Sequence, residues 1–156
     1  MKKEGDLMKI NTKCSLALHI LLVVAVFSEQ VKMTSENIAK STGSNPVIIR
    51  NILGSLKRAG LVTVHRGSGG TELAMPPENI NILAVYSSVD PSSMKGLIGL
   101  HPNPSKECPV GSRIHRLLEG PYDDIREAMQ ATMKNHTLAD LLERYQAGMN
   151  VEEAGC

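Results

Sequence analysis

Residues 33–62 read MTSENIAKSTGSNPVIIRNILGSLKRAGLV, and the punctuation of this stretch decides the fold. Thr34 is an N-cap residue, and Glu36 stands in the first turn, where the helix dipole favours an anion. A short helix is expected to about Ser41, broken by the TGS at 42–44. Asn45 then caps a second helix with Pro46 at its first position, where a missing N–H costs nothing. That helix carries Val47, Ile48, Ile49, Ile52, Leu53 and Leu56 and stops at Gly60, a natural residue just past a helix end. Two helices joined by a glycine-containing turn form the helix-turn-helix plan. The spacing agrees: Ala39 is small where the helices meet, Gly43 permits the turn, and Ile49 points back into a core.

The chain continues as LVTVH, RGSGG and TELAMPP. Two extended runs around a glycine-rich tip predict a β-hairpin. A phosphate-cradling loop of the Walker type needs Gly-Lys-Ser or Gly-Lys-Thr, and no Lys follows these glycines. A dinucleotide-binding loop opens a helix, whereas this stretch ends at Pro76 and Pro77. The hairpin is therefore expected to be the wing of a winged helix. Gly67, Gly69 and Gly70 would let the backbone turn tightly and approach a duplex, with Arg66 entering a narrow minor groove. A simply solvated Arg66 is the plainer alternative.

Charge is distributed to match. Residues 1–71 carry ten Lys and Arg against four Asp and Glu, a net of +6, while residues 72–156 carry seven against twelve, a net of −5. No Asp or Glu occurs from Asn37 through Thr71, where Lys40, Arg50, Lys57, Arg58 and Arg66 all fall. Such a stretch favours phosphate contact with salt-dependent affinity. An aromatic content of 3% disfavours recognition of single strands by stacking. Cys14, Cys108 and Cys156 lie far apart and form neither a disulfide framework nor a zinc pattern, as in a reducing cytoplasm. The apolar run LALHILLVVAVF, 12 residues from Leu16, is too short for the roughly 20 that span a bilayer. A buried helix over about Thr12 to Ser28 is expected instead, with no membrane role.

The fold class is thus mainly α with a small β-hairpin: a winged helix-turn-helix plus a long C-terminal dimerisation helix. The expected divisions are a flexible leader (1–8), a DNA-binding domain (9–88), a linker loop with a short helix (89–120), the dimerisation helix (121–147) and a flexible tail (148–156). A helix is expected to begin at Glu78. Residues 90–112, DPSSMKGLIGLHPNPSKECPVGS, are rich in Pro, Gly and Ser, a composition typical of binding or mobile loops. The tail reads as helical from about Ser112 to Ala147, interrupted at EGPYDD, with Ile125, Met129, Met133, Leu138, Leu141, Leu142 and Tyr145 in one apolar stripe. A long amphipathic helix on so small a protein would pack on its own domain and on a second copy.

Four stretches, MKINTKCSLALHILL, IAKSTGSNPVIIRNILGSLKRAGLV, HRGSGGTELAMPPENI and HTLADLLERY, together resemble the Rrf-type winged-helix regulators of bacteria, the family that includes IscR, NsrR and CymR. The resemblance runs from about Met8 to Gln146. It implies a homodimeric DNA-binding repressor or activator that uses the long helix as dimer interface and the preceding loop as sensor. Carried onto this chain, it places Asn45, Val47, Ile48, Arg50 and Asn51 at base edges and Arg66 in the minor groove. IscR-like members often have Glu where this chain has Arg50, and the change should alter the preferred base, since Arg favours guanine and Glu cytosine. The NPVIIR version looks more like the YwnA-like branch.

The chain departs from the cluster-binding members at the sensor. Those members carry three cysteines close together in the loop, whereas here it holds only Cys108, and one thiolate is too few for an iron–sulfur cluster. No cofactor and no metal site is therefore expected. Cys108 and His101 are the candidate sensor residues. The readings left open are a redox-responsive Cys108, a small-molecule effector bound by the loop, a regulatory protein partner, and an inert Cys108. The sequence is read as a sequence-specific regulator on a pseudo-palindromic operator, a repressor more readily than an activator. Two rivals belong to other classes. One is a winged-helix adaptor that binds protein and not DNA, which the basic second helix opposes. The other is a small enzyme using His101, Glu107, Cys108 and His115, for which no spacing fixes a geometry.

Overall fold

The structure is a computed structural model describing residues 12–91 and 98–154. The leader therefore lies outside the described residues. Helix α1 (Thr12–Phe27) ends one residue short of the expected Ser28. Its apolar residues are spread around the helix, and Ala17, Ile20, Leu21, Val23 and Val24 are all buried. A helix without a polar face needs cover on several sides, and α1 contacts every other helix of the winged unit.

Helix α2 (Ser35–Thr42) and helix α3 (Pro46–Arg58) begin as their caps dictate. The Asn37 N–H donates to Thr34 Oγ1 at 3.2 Å, and the Val47 N–H donates to Asn45 Oδ1 at 2.8 Å. Between the helices Gly43 takes φ +64°, a left-handed conformation that favours glycine. Ile38 and Ala39 of α2 face Ile49, Ile52, Leu53 and Leu56 of α3 in a single core. Strands β1 (Val62–His65) and β2 (Gly70–Leu73) follow as an antiparallel hairpin, in register Val62 with Leu73 and His65 with Gly70. A 3₁₀ turn at Gly67–Gly69 forms its tip.

The next helix does not begin at Glu78. Pro77–Asn79 form a 3₁₀ turn, Ile80 is extended, and α4 (Ile82–Val89) starts after Asn81, whose Oδ1 accepts from the Ala84 N–H at 2.8 Å. Extension at Ile80 carries its side chain fully into the core and leaves its carbonyl free for a later segment.

The C-terminal region also differs from expectation. Helix α5 (Ile114–Asn135) runs unbroken through Pro121, and the expected interruption at EGPYDD does not occur. Pro121 lies on an exposed face, where water can take the carbonyl that its missing N–H leaves unpaired. The break falls at His136–Thr137 instead. There the Thr137 N–H donates to Asp140 Oδ2 at 2.7 Å and the Asp140 N–H donates to Thr137 Oγ1 at 3.2 Å, a reciprocal capping box. Helix α6 (Leu138–Ala154) follows and continues through much of the segment expected to be a flexible tail. The helix anticipated over 121–147 is thus two helices with different partners. α5 packs against α4 and has no buried residue, while α6 lies against α1 and the Pro77–Asn79 turn with Leu138 buried in the core.

Candidate nucleic-acid interface

The start of α3 presents two kinds of residue. Ile49, Ile52, Leu53 and Leu56 face inward, whereas Asn45, Val47, Ile48, Arg50 and Asn51 are all exposed. Val47 and Ile48 are 55% and 49% accessible, unusual for apolar side chains beside a well-packed core. The Asn45 Oδ1 is committed to its cap. Arg50 reaches across to α2, where its Nη2 donates to Glu36 Oε1 at 2.9 Å. The Arg50 guanidinium in turn holds the Glu36 carboxyl below the usual carboxylate range.

The wing stands beside this face. Arg66 at the tip is exposed and has no ion-pair or hydrogen-bond partner among the described residues. Gly67 is exposed with φ +71°. The other two glycines serve the tight turn and the seating of the hairpin. A Cβ on Gly69 would lie 2.3 Å from His65 Cβ. Gly70 is buried with φ +79°, and a Cβ there would lie 3.0 Å from the Met33 backbone nitrogen. Gly70 therefore seats the wing on the segment leading into α2. Across the strands His65 Nε2 lies 3.4 Å from Glu72 Oε2. A cleft of about 160 Å³ separates the helical face from the wing, lined by Thr34, Glu36, Arg50, His65 and Gly67 among others.

Glu36 and Glu72, the acidic residues on either side of the acid-free stretch, both pack on basic partners within it. Sequence reading counted the cations and missed these partners. Glu36 was legible only as a helix-start residue.

The loop after α4 is held on α5. His115 Nε2 lies 2.9 Å from the His101 carbonyl oxygen, and Arg126 Nη1 donates to the Ile98 carbonyl at 3.4 Å. The His101 and His115 rings meet edge to face, 5.8 Å between centroids. Cys108 is exposed in a turn closed by the Ser112 N–H donating to the Cys108 carbonyl at 2.9 Å. Backbone N–H groups of Gly111 and Val110 hold its thiol below the ordinary range. Cys14 lies part-buried in α1, where burial pushes its thiol up. His101 and Cys108 thus share one loop, with no direct contact between their side chains among the interactions of the described residues.

The profile of the Rrf2 family, described as an iron-dependent transcriptional regulator, matches residues 10–144. The chain belongs to the Rrf2 family. It is 32% identical over 133 residues to YwnA of Bacillus subtilis, named as an HTH-type transcriptional regulator, covering 85% of this chain and 96% of that one. A transcriptional regulator structure from Lactobacillus plantarum superposes with a TM-score of 0.71 at 25% identity, covering 93% of this chain and 99% of that one. CymR of B. subtilis, the global cysteine regulator, has the same fold, with a TM-score of 0.63 at 22% identity over 88% of this chain and 98% of that one. This Rrf2 protein is a DNA-binding transcriptional regulator, and its relatives are regulators rather than enzymes.

The family description carries iron dependence, and the donors of this chain fit it poorly. Cys108 is the only cysteine of residues 90–112. No three His, Cys, Asp or Glu side chains among the described residues are grouped to hold a metal ion. The donor set does not match an iron–sulfur cluster held by loop thiolates. None of the described helices is long and apolar enough to cross a membrane.

Proposed function

We propose that this Rrf2 protein is a cytoplasmic homodimeric repressor that reads a pseudo-palindromic operator without an iron–sulfur cluster. The observation that carries the reading is the exposed row Val47, Ile48, Arg50 and Asn51 beside an unpartnered Arg66. An exposed Val–Ile pair fits the 5-methyl groups of thymine in a major groove, and Arg50 fits guanine. Arg66 fits the narrow minor groove at the flank of each half-site. Two α3 helices from a dimer would occupy successive major grooves.

Support for the dimer comes from α5. Leu117, Pro121, Ile125 and Ala128 recur at helical spacing on an exposed face, while Ile114, Leu118, Met129 and Met133 are half-covered. A helix with an exposed apolar row and a second, half-covered one is suited to a second copy. The signal is assigned to the loop over α5, as a small-molecule or thiol-redox change centred on Cys108 and His101, or as a regulatory protein docking there.

The test is fluorescence anisotropy of the reduced protein with its own upstream DNA and with a scrambled duplex, at two salt concentrations. The expected result is tight, sequence-selective binding that weakens steeply with salt. Equal, weak binding to both duplexes would overturn the operator reading and favour a protein-binding adaptor. Repetition after mild oxidation, with wild type and Cys108→Ser, tests the thiol arm.

A further inference from the structure

We propose that Glu36 is a positioning residue for Arg50 and thereby sets the base preference of α3. The proposal rests on the reading of Arg50 as a base-contacting residue.

The pair joins two elements of the helix-turn-helix: Arg50 Nη2 on α3 donates to Glu36 Oε1 on α2 at 2.9 Å. Stability does not account for it. The two side chains are 57% and 59% accessible, and ion pairs so exposed contribute little to folding. Their location does account for it, because the pair lines the cleft between α3 and the wing. Arginine carries five N–H donors in a planar fork, and recognition of guanine needs two of them aligned with one base edge. A carboxylate that takes one N–H fixes the plane of the fork and leaves donors for the base. An arginine already held in place also loses less side-chain freedom on binding.

The backbone that carries Glu36 is held by a cap and a side-chain bond. Glu36 stands in the first turn of α2, where Thr34 Oγ1 caps the Asn37 N–H and the Asn37 amide donates to the Lys32 carbonyl at 2.9 Å. The charge balance is consistent as well. A bare carboxylate at a DNA-facing helix start would repel phosphate, and Arg50 neutralises it.

The experiment selects duplexes from a randomised pool with the wild-type protein and identifies the base pair at which Arg50→Ala loses discrimination. Anisotropy then compares wild type, E36A, E36Q, R50A and E36A/R50A on the selected duplex and on duplexes altered at that base pair and at others. E36A is expected to lose on the order of tenfold in discrimination at the Arg50 base pair alone. E36Q, whose amide oxygen still accepts the bond, keeps part of it, and the double variant matches R50A. The thermal midpoint stays at the wild-type value. Wild-type discrimination in E36A, alongside a loss in R50A, overturns the role of Glu36 and leaves base reading by Arg50 intact. A uniform gain of affinity by E36A on every duplex also overturns it, making the carboxylate merely repulsive. Unchanged discrimination in R50A sinks the base-reading role and this proposal together.

Discussion

The Leu138 N–H donates to the Ile80 carbonyl at 2.7 Å, and both side chains are buried in the same core. The Ile82 N–H returns a bond to the His136 carbonyl at 2.9 Å. This small bridge fastens the C-terminal helix to the exit of the wing. It makes the start of α6 part of the winged unit, while α5 has no buried residue.

Leu138→Ala should therefore unfold the DNA-binding unit more easily, at a cost of about 2–5 kcal/mol. Urea denaturation at several protein concentrations checks this. A loss confined to dimer affinity, with monomer stability unchanged, would place Leu138 in an interface and contradict its position in the core.

The capping box gives a second expectation. Thr137→Ala should cost about 1 kcal/mol, the usual value of an N-cap side chain. Hydrogen bonds from the Thr137 backbone and side chain lower the Asp140 pKa in the folded state. A lowered folded pKa contributes stability above the unfolded value of about 3.9, lost as pH falls through the folded one. Acid titration of stability should accordingly be shallower in Asp140→Asn. An identical acid slope in Asp140→Asn would count against the box.

At the wing, two substitutions should separate contact from construction. Arg66→Ala should weaken DNA binding without changing the oligomeric state or the thermal midpoint, because its side chain has no described partner to lose. Gly69→Ala should weaken binding by distorting the hairpin, since its new Cβ would collide with His65 Cβ at 2.3 Å. Amide exchange across β1 and β2 distinguishes them: it should accelerate in Gly69→Ala and stay at wild type in Arg66→Ala. Wild-type DNA affinity in Arg66→Ala would refute the wing contact.

The two described cysteines should differ in reactivity. Cys108, exposed and held low by the Gly111 and Val110 N–H groups, should be alkylated by iodoacetamide at neutral pH well before Cys14, which burial pushes up. Its rate should half-rise below the ordinary thiol value of about 8.5. Mass spectrometry of a pH series reads both. Equal rates would remove the basis for a thiol sensor at Cys108.

Sequence alone determined the features whose causes are neighbours in the chain. Thr34, Asn45 and Pro46 start their helices through contacts within one turn, Gly43 makes the turn between them, and the glycine-rich tip between two extended runs makes the hairpin. The inward direction of Ile49 was legible from its place in the helix-turn-helix, and the structure buries Ile52, Leu53 and Leu56 beside it. Even Thr137–Asp140 is a local signal, but the proline in EGPYDD is a stronger helix breaker and drew the predicted interruption to the wrong place. Only the tertiary structure decided that an exposed Pro121 is tolerated, that Leu138 enters the core beside Ile80, that Gly70 seats the wing on Met33, and that Arg50 meets Glu36. The reason is physical. Caps and turns are closed by atoms a few residues apart, whereas burial and ion pairing between distant segments depend on where every other element has already packed.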